Sequence, residues 1–101
     1  MQPSEKYDIL DSDEINRGGC ACGLLLVEDD RTIAVGLVYA LEQEGYAVHH
    51  VPDAAGGKLA AEREPFDLAI LDLMLPDGSG YDVCRALRAN RETPVIFLTA
   101  C

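Results

Sequence analysis

Between Leu24 and Leu98, short uninterrupted apolar runs take turns with longer stretches whose apolar residues recur at helical spacing. Leu24 to Val27 and Phe66 to Leu71 read as strands, and their near-continuous apolar character suits a parallel sheet buried on both faces. Ala34, Leu37, Val38 and Leu41 fall on one stripe of a helix predicted over about 31–44, with Gly45 placed to end it in a left-handed turn. Tyr46 to Val51 is a strand of partial alternation, and its histidines, His49 and His50, point to a sheet edge with one face partly wet. Asp53 can cap a helix over about 54–64 that Pro65 closes, although Gly56 and Gly57 inside it each cost roughly 1 kcal/mol relative to alanine. Asp72 follows the third strand where the chain leaves the sheet. The turn formers Leu75-Pro76-Asp77-Gly78-Ser79-Gly80 lead into a helix capped by Ser79, with Val83, Cys84 and Leu87 on one face and its end near Asn90. Pro94 introduces a fourth strand, Val95 to Leu98, and the sequence ends at Cys101.

Strands separated by helices of this length predict an α/β fold: a doubly wound parallel sheet covered by crossover helices, stopping after four strands. Residues 1–23 are polar and acidic, end in glycines and show no sustained periodicity, so they read as a disordered extension, with 24–101 as the folded unit. A chain of 101 residues, 49% hydrophobic, suffices for one small core and no second domain. The apolar runs are too short to span a membrane, and the polar N-terminus lacks a signal-peptide plan, which predicts a cytoplasmic protein without membrane contact. Cys20, Cys22, Cys84 and Cys101 show no C-x-x-C spacing and are expected as reduced thiols, Cys84 acting as a small hydrophobe.

The formal charge of −10, from 18 acidic against 8 basic residues, argues against a nucleic-acid surface, which needs clustered lysine and arginine. Where the acids gather matters more. In an open parallel sheet the functional crevice lies outside the carboxyl ends of the strands. Glu28, Asp29 and Asp30 follow the first strand, Asp72 the third and Thr99 the fourth, so they converge if these strands are neighbours. Carboxylates brought together resist joint ionisation, a cost that a divalent cation reverses. All-oxygen ligation with incomplete protein coverage suits Mg²⁺. Helix capping accounts for Asp30 but not for a second strand exit that also presents a carboxylate. A nucleotide or flavin site would place a glycine-rich loop after the first strand, whereas this loop carries three acids and no glycine. His49 and His50 are expected to lie away from the acids and receive no catalytic role.

Three segments, Leu24-Leu25-Leu26-Val27-Glu28-Asp29-Asp30, Asp67 to Gly80 and Thr93-Pro94-Val95-Ile96-Phe97-Leu98-Thr99-Ala100, together resemble the successive signatures of two-component response-regulator receiver domains. They come in the family's order and cover nearly everything from Leu24 onward. The resemblance implies a flavodoxin-like receiver fold with strand order 2-1-3-4, lacking the family's last strand and last two helices. It implies Asp72 as the phosphoacceptor and Thr99 as the switch hydroxyl. Mg²⁺ would be held by Asp29, Asp72 and the backbone carbonyl of Met74, with Glu28 acting through a bound water. Pro76 and Gly80 match loop positions that need a sharp exit from the strand. The implied partner is a sensor histidine kinase, and the style of the Asp72-Leu73-Met74-Leu75-Pro76 segment is that of receivers attached to winged-helix transcription regulators. The family's lysine belongs to the segment beyond Cys101, and an uncovered fourth strand predicts a homodimer or swapped oligomer.

Two other readings compete. A phosphatase of the haloacid-dehalogenase type also uses an aspartate after a parallel strand, but needs a general acid where this chain has Met74. A phospho-inactive receiver fragment, serving only as an interaction module, would keep the fold without the switch.

Overall fold

The computed structural model describes residues 22–89 and 91–98. Thr99 lies outside them, as do Cys20, Cys101 and the expected extension up to residue 21. The elements are β1 (Gly23–Val27), α1 (Arg31–Gln43), β2 (Ala47–Val51), α2 (Ala54–Arg63), β3 (Leu68–Asp72), α3 (Gly80–Arg88) and β4 (Val95–Leu98). All four strands pair in parallel in the order β2-β1-β3-β4, the predicted topology.

The apolar runs divide by strand alternation onto the two faces of the sheet. Leu24, Leu26 and Ile70 point toward α1 and meet Ala34, Leu37, Val38 and Leu41, the stripe expected from the sequence. Leu25, Val27, Ala69 and Leu71 point the other way and pack with Ala54 and Ala60 of α2 and Val83 and Leu87 of α3. Helices thus cover both faces, which is why β1 is apolar throughout and Leu24 to Val27 are fully buried. The β2 strand is an edge, half-buried or exposed along its length, as its mixed composition predicts.

Caps set the helix starts where the sequence placed them. Asp30, Asp53 and Ser79 accept hydrogen bonds from the backbone N–H groups of Ile33, Gly56 and Tyr81 respectively, and Ser79 forms a capping box with Asp82. Gly45 ends the turn after α1 with φ of 99°, in the left-handed region.

The helix expected over about 54–64 forms across both Gly56 and Gly57, and a Cβ on Gly57 would lie 2.9 Å from Val83 Cγ2 and 3.0 Å from Val27 Cγ2. The missing side chain lets α2 close onto α3 and β1, so Gly57 is a packing requirement rather than a weak point. One expectation needs correction: the segment after Asp72 is not a plain loop, since Met74 and Leu75 pair antiparallel with Ser79 and Gly78 in a small hairpin.

Candidate functional site: an acidic crevice at the strand ends

The adjacency of β1 and β3 puts their carboxyl ends side by side, with Val27 level with Leu71. The next residues, Glu28 and Asp29 from β1 and Asp72 at the end of β3, bring one carboxylate oxygen each within 4.8 Å of one another. The three acids singled out from the sequence therefore meet. Glu28 is 4% exposed and Asp72 6%, while Asp29 opens to solvent. Asp29 also borders a groove lined by Arg31, Val35, Tyr39, His50 and Pro52.

Each buried acid is oriented by the backbone. The Asp30 N–H donates to Glu28 Oε2 at 3.0 Å, and the Met74 N–H donates to Asp72 Oδ1 at 3.0 Å. Burial pushes the Glu28 carboxyl above its ordinary range, the Asp30 N–H opposes that shift, and the neighbouring charges of Asp72 and Asp29 add to it. Among the described residues no lysine or arginine forms an ion pair with any of the three. Two buried carboxylates and a third beside them, unpaired with any basic side chain among the described residues, fit a hard divalent ion bound through oxygen.

The loop after β3 is tied to its neighbours by backbone hydrogen bonds. The Leu73 N–H donates to the Leu98 carbonyl of β4 at 3.2 Å, and the Gly80 N–H to the Leu73 carbonyl at 3.4 Å. A Cβ on Gly80 would stand 2.5 Å from the Asp72 carbonyl oxygen, so only glycine allows α3 to begin against the strand that ends in Asp72. Gly80 thereby has a physical reason to be glycine. Met74 is 71% exposed, and its contact with Asp72 is made by its backbone N–H. Thr99, one position past β4, lies outside the described residues.

The expectation that both histidines lie away from the acids fails for His50. Its Nε2 lies 2.8 Å from the Glu28 carbonyl oxygen. A carbonyl can only accept, so Nε2 carries the proton. The reason is register: His50 pairs with Leu26, and Glu28 donates its own N–H to Val51, so the edge strand runs directly beside the acidic turn. His49 faces elsewhere, its Nδ1 3.0 Å from Glu64 Oε2 and its ring 5.8 Å from that of Phe66. Reasoning from sequence also missed Asp77, whose carboxylate accepts from the N–H groups of Ala54 at 2.7 Å and Ala55 at 3.0 Å. These hydrogen bonds hold its carboxyl below the usual range. A turn-forming aspartate gives no sign of a partner at the start of another helix.

Both the sequence and the fold have counterparts among known proteins. Residues 24–101 match the family model described as the response regulator receiver domain. The sensory transduction protein RegX3 of Mycolicibacterium smegmatis is 43% identical over 77 residues, covering 76% of this chain and 34% of that protein. The transcriptional regulatory protein AfsQ1 of Streptomyces coelicolor is 44% identical over 81 residues, with 76% and 34% covered. The chain thus spans about a third of the length of the curated relatives it matches. Among solved structures, the receiver domain of the sensor histidine kinase PA1611 from Pseudomonas aeruginosa, which has a magnesium ion coordinated in its active-site cleft, superposes with a TM-score of 0.74 at 34% identity. That match covers 80% of this chain and 69% of the other. The non-phosphorylated HemR receiver domain of Leptospira biflexa gives a TM-score of 0.71 at 36% identity, covering 78% and 64%. With the parallel sheet, the paired acidic strand ends and these relatives in agreement, the chain belongs to the receiver-domain family of two-component response regulators.

Proposed function

We propose that Asp72 accepts a phosphoryl group in a Mg²⁺-dependent transfer from a sensor histidine kinase. The observation that carries this reading is the meeting of Glu28, Asp29 and Asp72 within 4.8 Å, two of them buried and none paired with a basic side chain among the described residues. Asp29, Asp72 and the Met74 carbonyl would hold the ion, with Glu28 acting through a water. When bound, Mg²⁺ supplies charge neutralisation for the anionic phosphoryl group. The residues do the rest. A carboxylate is a weak nucleophile toward a phosphoryl anion, so the gain comes from placement: the Met74 N–H fixes one Asp72 oxygen and leaves the other to attack phosphorus. The new O–P bond forms as the bond to the donor's imidazole nitrogen breaks, and the leaving ring takes up a proton from solvent. The Thr99 hydroxyl would then donate to a phosphoryl oxygen.

In this reading the chain is a phosphoacceptor rather than a classical enzyme, it works in the cytoplasm, and the longer protein controls transcription through a winged-helix domain. DNA contact belongs to that domain and not to this chain. Among the described residues no helix is long and apolar enough to cross a membrane.

Incubation with Mg²⁺ and acetyl phosphate, followed by intact-mass measurement, tests the proposal. A single phosphoryl adduct that needs Mg²⁺ and vanishes in Asp72→Asn is the expected result. Absence of any adduct on the wild-type chain, with acetyl phosphate or beryllofluoride, would leave an interaction module without phosphoacceptor chemistry.

A further inference from the structure

Asp77 sits at the tip of the hairpin that follows Asp72, in the turn that joins Leu75 to Gly78. Its exposed carboxylate reaches 23 positions back along the chain, taking the Ala54 N–H on Oδ1 and the Ala55 N–H on Oδ2. The next N–H of α2, that of Gly56, goes to Asp53 at 2.7 Å. The first turn of α2 is therefore shared between a cap from its own segment and a carboxylate from the loop that borders the crevice. A cap residue satisfies one of the four unpaired N–H groups of a helix start and leaves the others to water or to other partners. The second carboxylate ties together two loops that both emerge at the carboxyl ends of the strands.

That tie bears on the site through the hairpin. Its two rungs, Met74 with Ser79 and Leu75 with Gly78, connect the anchored tip to the Met74 backbone. A ladder this short has little stability of its own, so its position depends on its anchors. At the base these are the Leu73 N–H on the Leu98 carbonyl and the Met74 N–H on Asp72. At the tip it is Asp77. Gly78 fits into the same contact, since a Cβ there would lie 3.4 Å from the Ala54 Cβ and 3.0 Å from Asp82 Oδ2.

We propose that Asp77 is a positioning residue for the cation site: by clamping the hairpin tip onto the first turn of α2, it holds the Met74 carbonyl where the ion requires it. The inference rests on the Mg²⁺-dependent phosphoacceptor reading above and adds to it a residue that touches neither ion nor phosphoryl group. Asp53 provides the control. It caps the same helix turn with the same charge but makes no bond to the hairpin.

The test is calorimetric titration of the full chain with Mg²⁺ at about 0.15 M ionic strength, where charges more than about 8 Å apart in solvent are largely screened. Loss of a group that orients a metal ligand weakens binding by about 10-fold, the effect expected for Asp77→Ala. Asp77→Asn, which keeps one acceptor oxygen, should fall between it and wild type. Asp53→Ala should lower the thermal midpoint while leaving Mg²⁺ affinity at the wild-type level. Unchanged affinity in Asp77→Ala overturns the proposal, and so does an equal loss in Asp53→Ala. If Asp77→Ala fails to fold, Asp77→Asn decides, and wild-type affinity there is equally fatal. The two readings fail differently: no Mg²⁺ binding by wild type, or undiminished binding by Asp72→Asn, removes the phosphoacceptor reading and this one together. Normal behaviour of those two with an indifferent Asp77 removes this one alone.

Discussion

Glu28 carries the conflict built into the crevice. Its carboxyl is buried beside two other acids, and burial together with those charges raises its pKa from the ordinary 4.5. The folded chain therefore holds this proton more tightly than the unfolded chain does. Without metal, the group costs no stability below pH 4.5; the cost grows as pH rises toward the raised folded-state value and is complete above it. Glu28→Gln keeps an oxygen to accept the Asp30 N–H and removes the charge, so at pH 7 it should raise the thermal midpoint of the metal-free protein. The same change should weaken Mg²⁺ by about 10-fold, as expected for a group that acts on the ion through a water. Thermal melts with and without Mg²⁺ check both signs, and a Glu28→Gln chain less stable than wild type in chelator would contradict the account. Proton competition has the further result that wild-type Mg²⁺ affinity falls as pH drops through the Glu28 pKa.

Among the helices, two glycines with the same local cost occupy opposite environments. Gly36 lies in α1 with nothing within 4 Å of an added Cβ, and Gly57 lies in α2 against Val83 and Val27. Helix propensity favours alanine over glycine by about 1 kcal/mol at either place. At Gly36 nothing opposes that gain, so Gly36→Ala should stabilise the chain by up to about 1 kcal/mol. At Gly57 the added methyl overpacks a core contact, at a cost of about 1–3 kcal/mol that outweighs the gain. Urea unfolding midpoints should therefore move in opposite directions, and a rise in both would show that α2 can shift away from α3. Sequence periodicity located each helix to within a residue or two because caps and breakers are local. Asp30, Asp53, Ser79, Gly45 and Pro65 act on neighbours a few positions away. It gave no reason for Gly57 to be glycine, because that reason lies on another helix and on β1.

For the molecule as a whole, the order β2-β1-β3-β4 leaves β2 and β4 as the edges of the described sheet. Ile96 of β4 is 51% exposed and Phe97 is covered in part by Tyr81, with ring centroids 4.9 Å apart. An apolar strand with free backbone groups is a template for pairing with another chain. A polypeptide of these 101 residues is accordingly expected to self-associate, with a mass by light scattering that rises with concentration. A stable monomer at high concentration, with cooperative unfolding, would count against it. A parallel sheet covered on both faces was readable in advance, since runs of apolar residues without alternation demand such cover and intervening helices supply it, whereas the strand order came from the resemblance to receiver domains. That the acids at the strand exits mark the site followed from a separate rule, that the crevice of an open parallel sheet lies at the carboxyl ends of its strands.

Local chemistry along the chain was enough to determine the elements, their caps, the buried strands and which acids stand at strand exits, because each depends on residue type and spacing alone; that these acids meet depended on the strand order. Distances between segments remote in sequence were settled by folding: the Asp77 carboxylate on the start of α2, the His50 ring on the Glu28 carbonyl, and the close approach that Gly57 and Gly80 permit. Those contacts arise from strand register and helix docking, which are collective results of packing the whole core. No residue carries a mark of them in its own neighbourhood of the sequence.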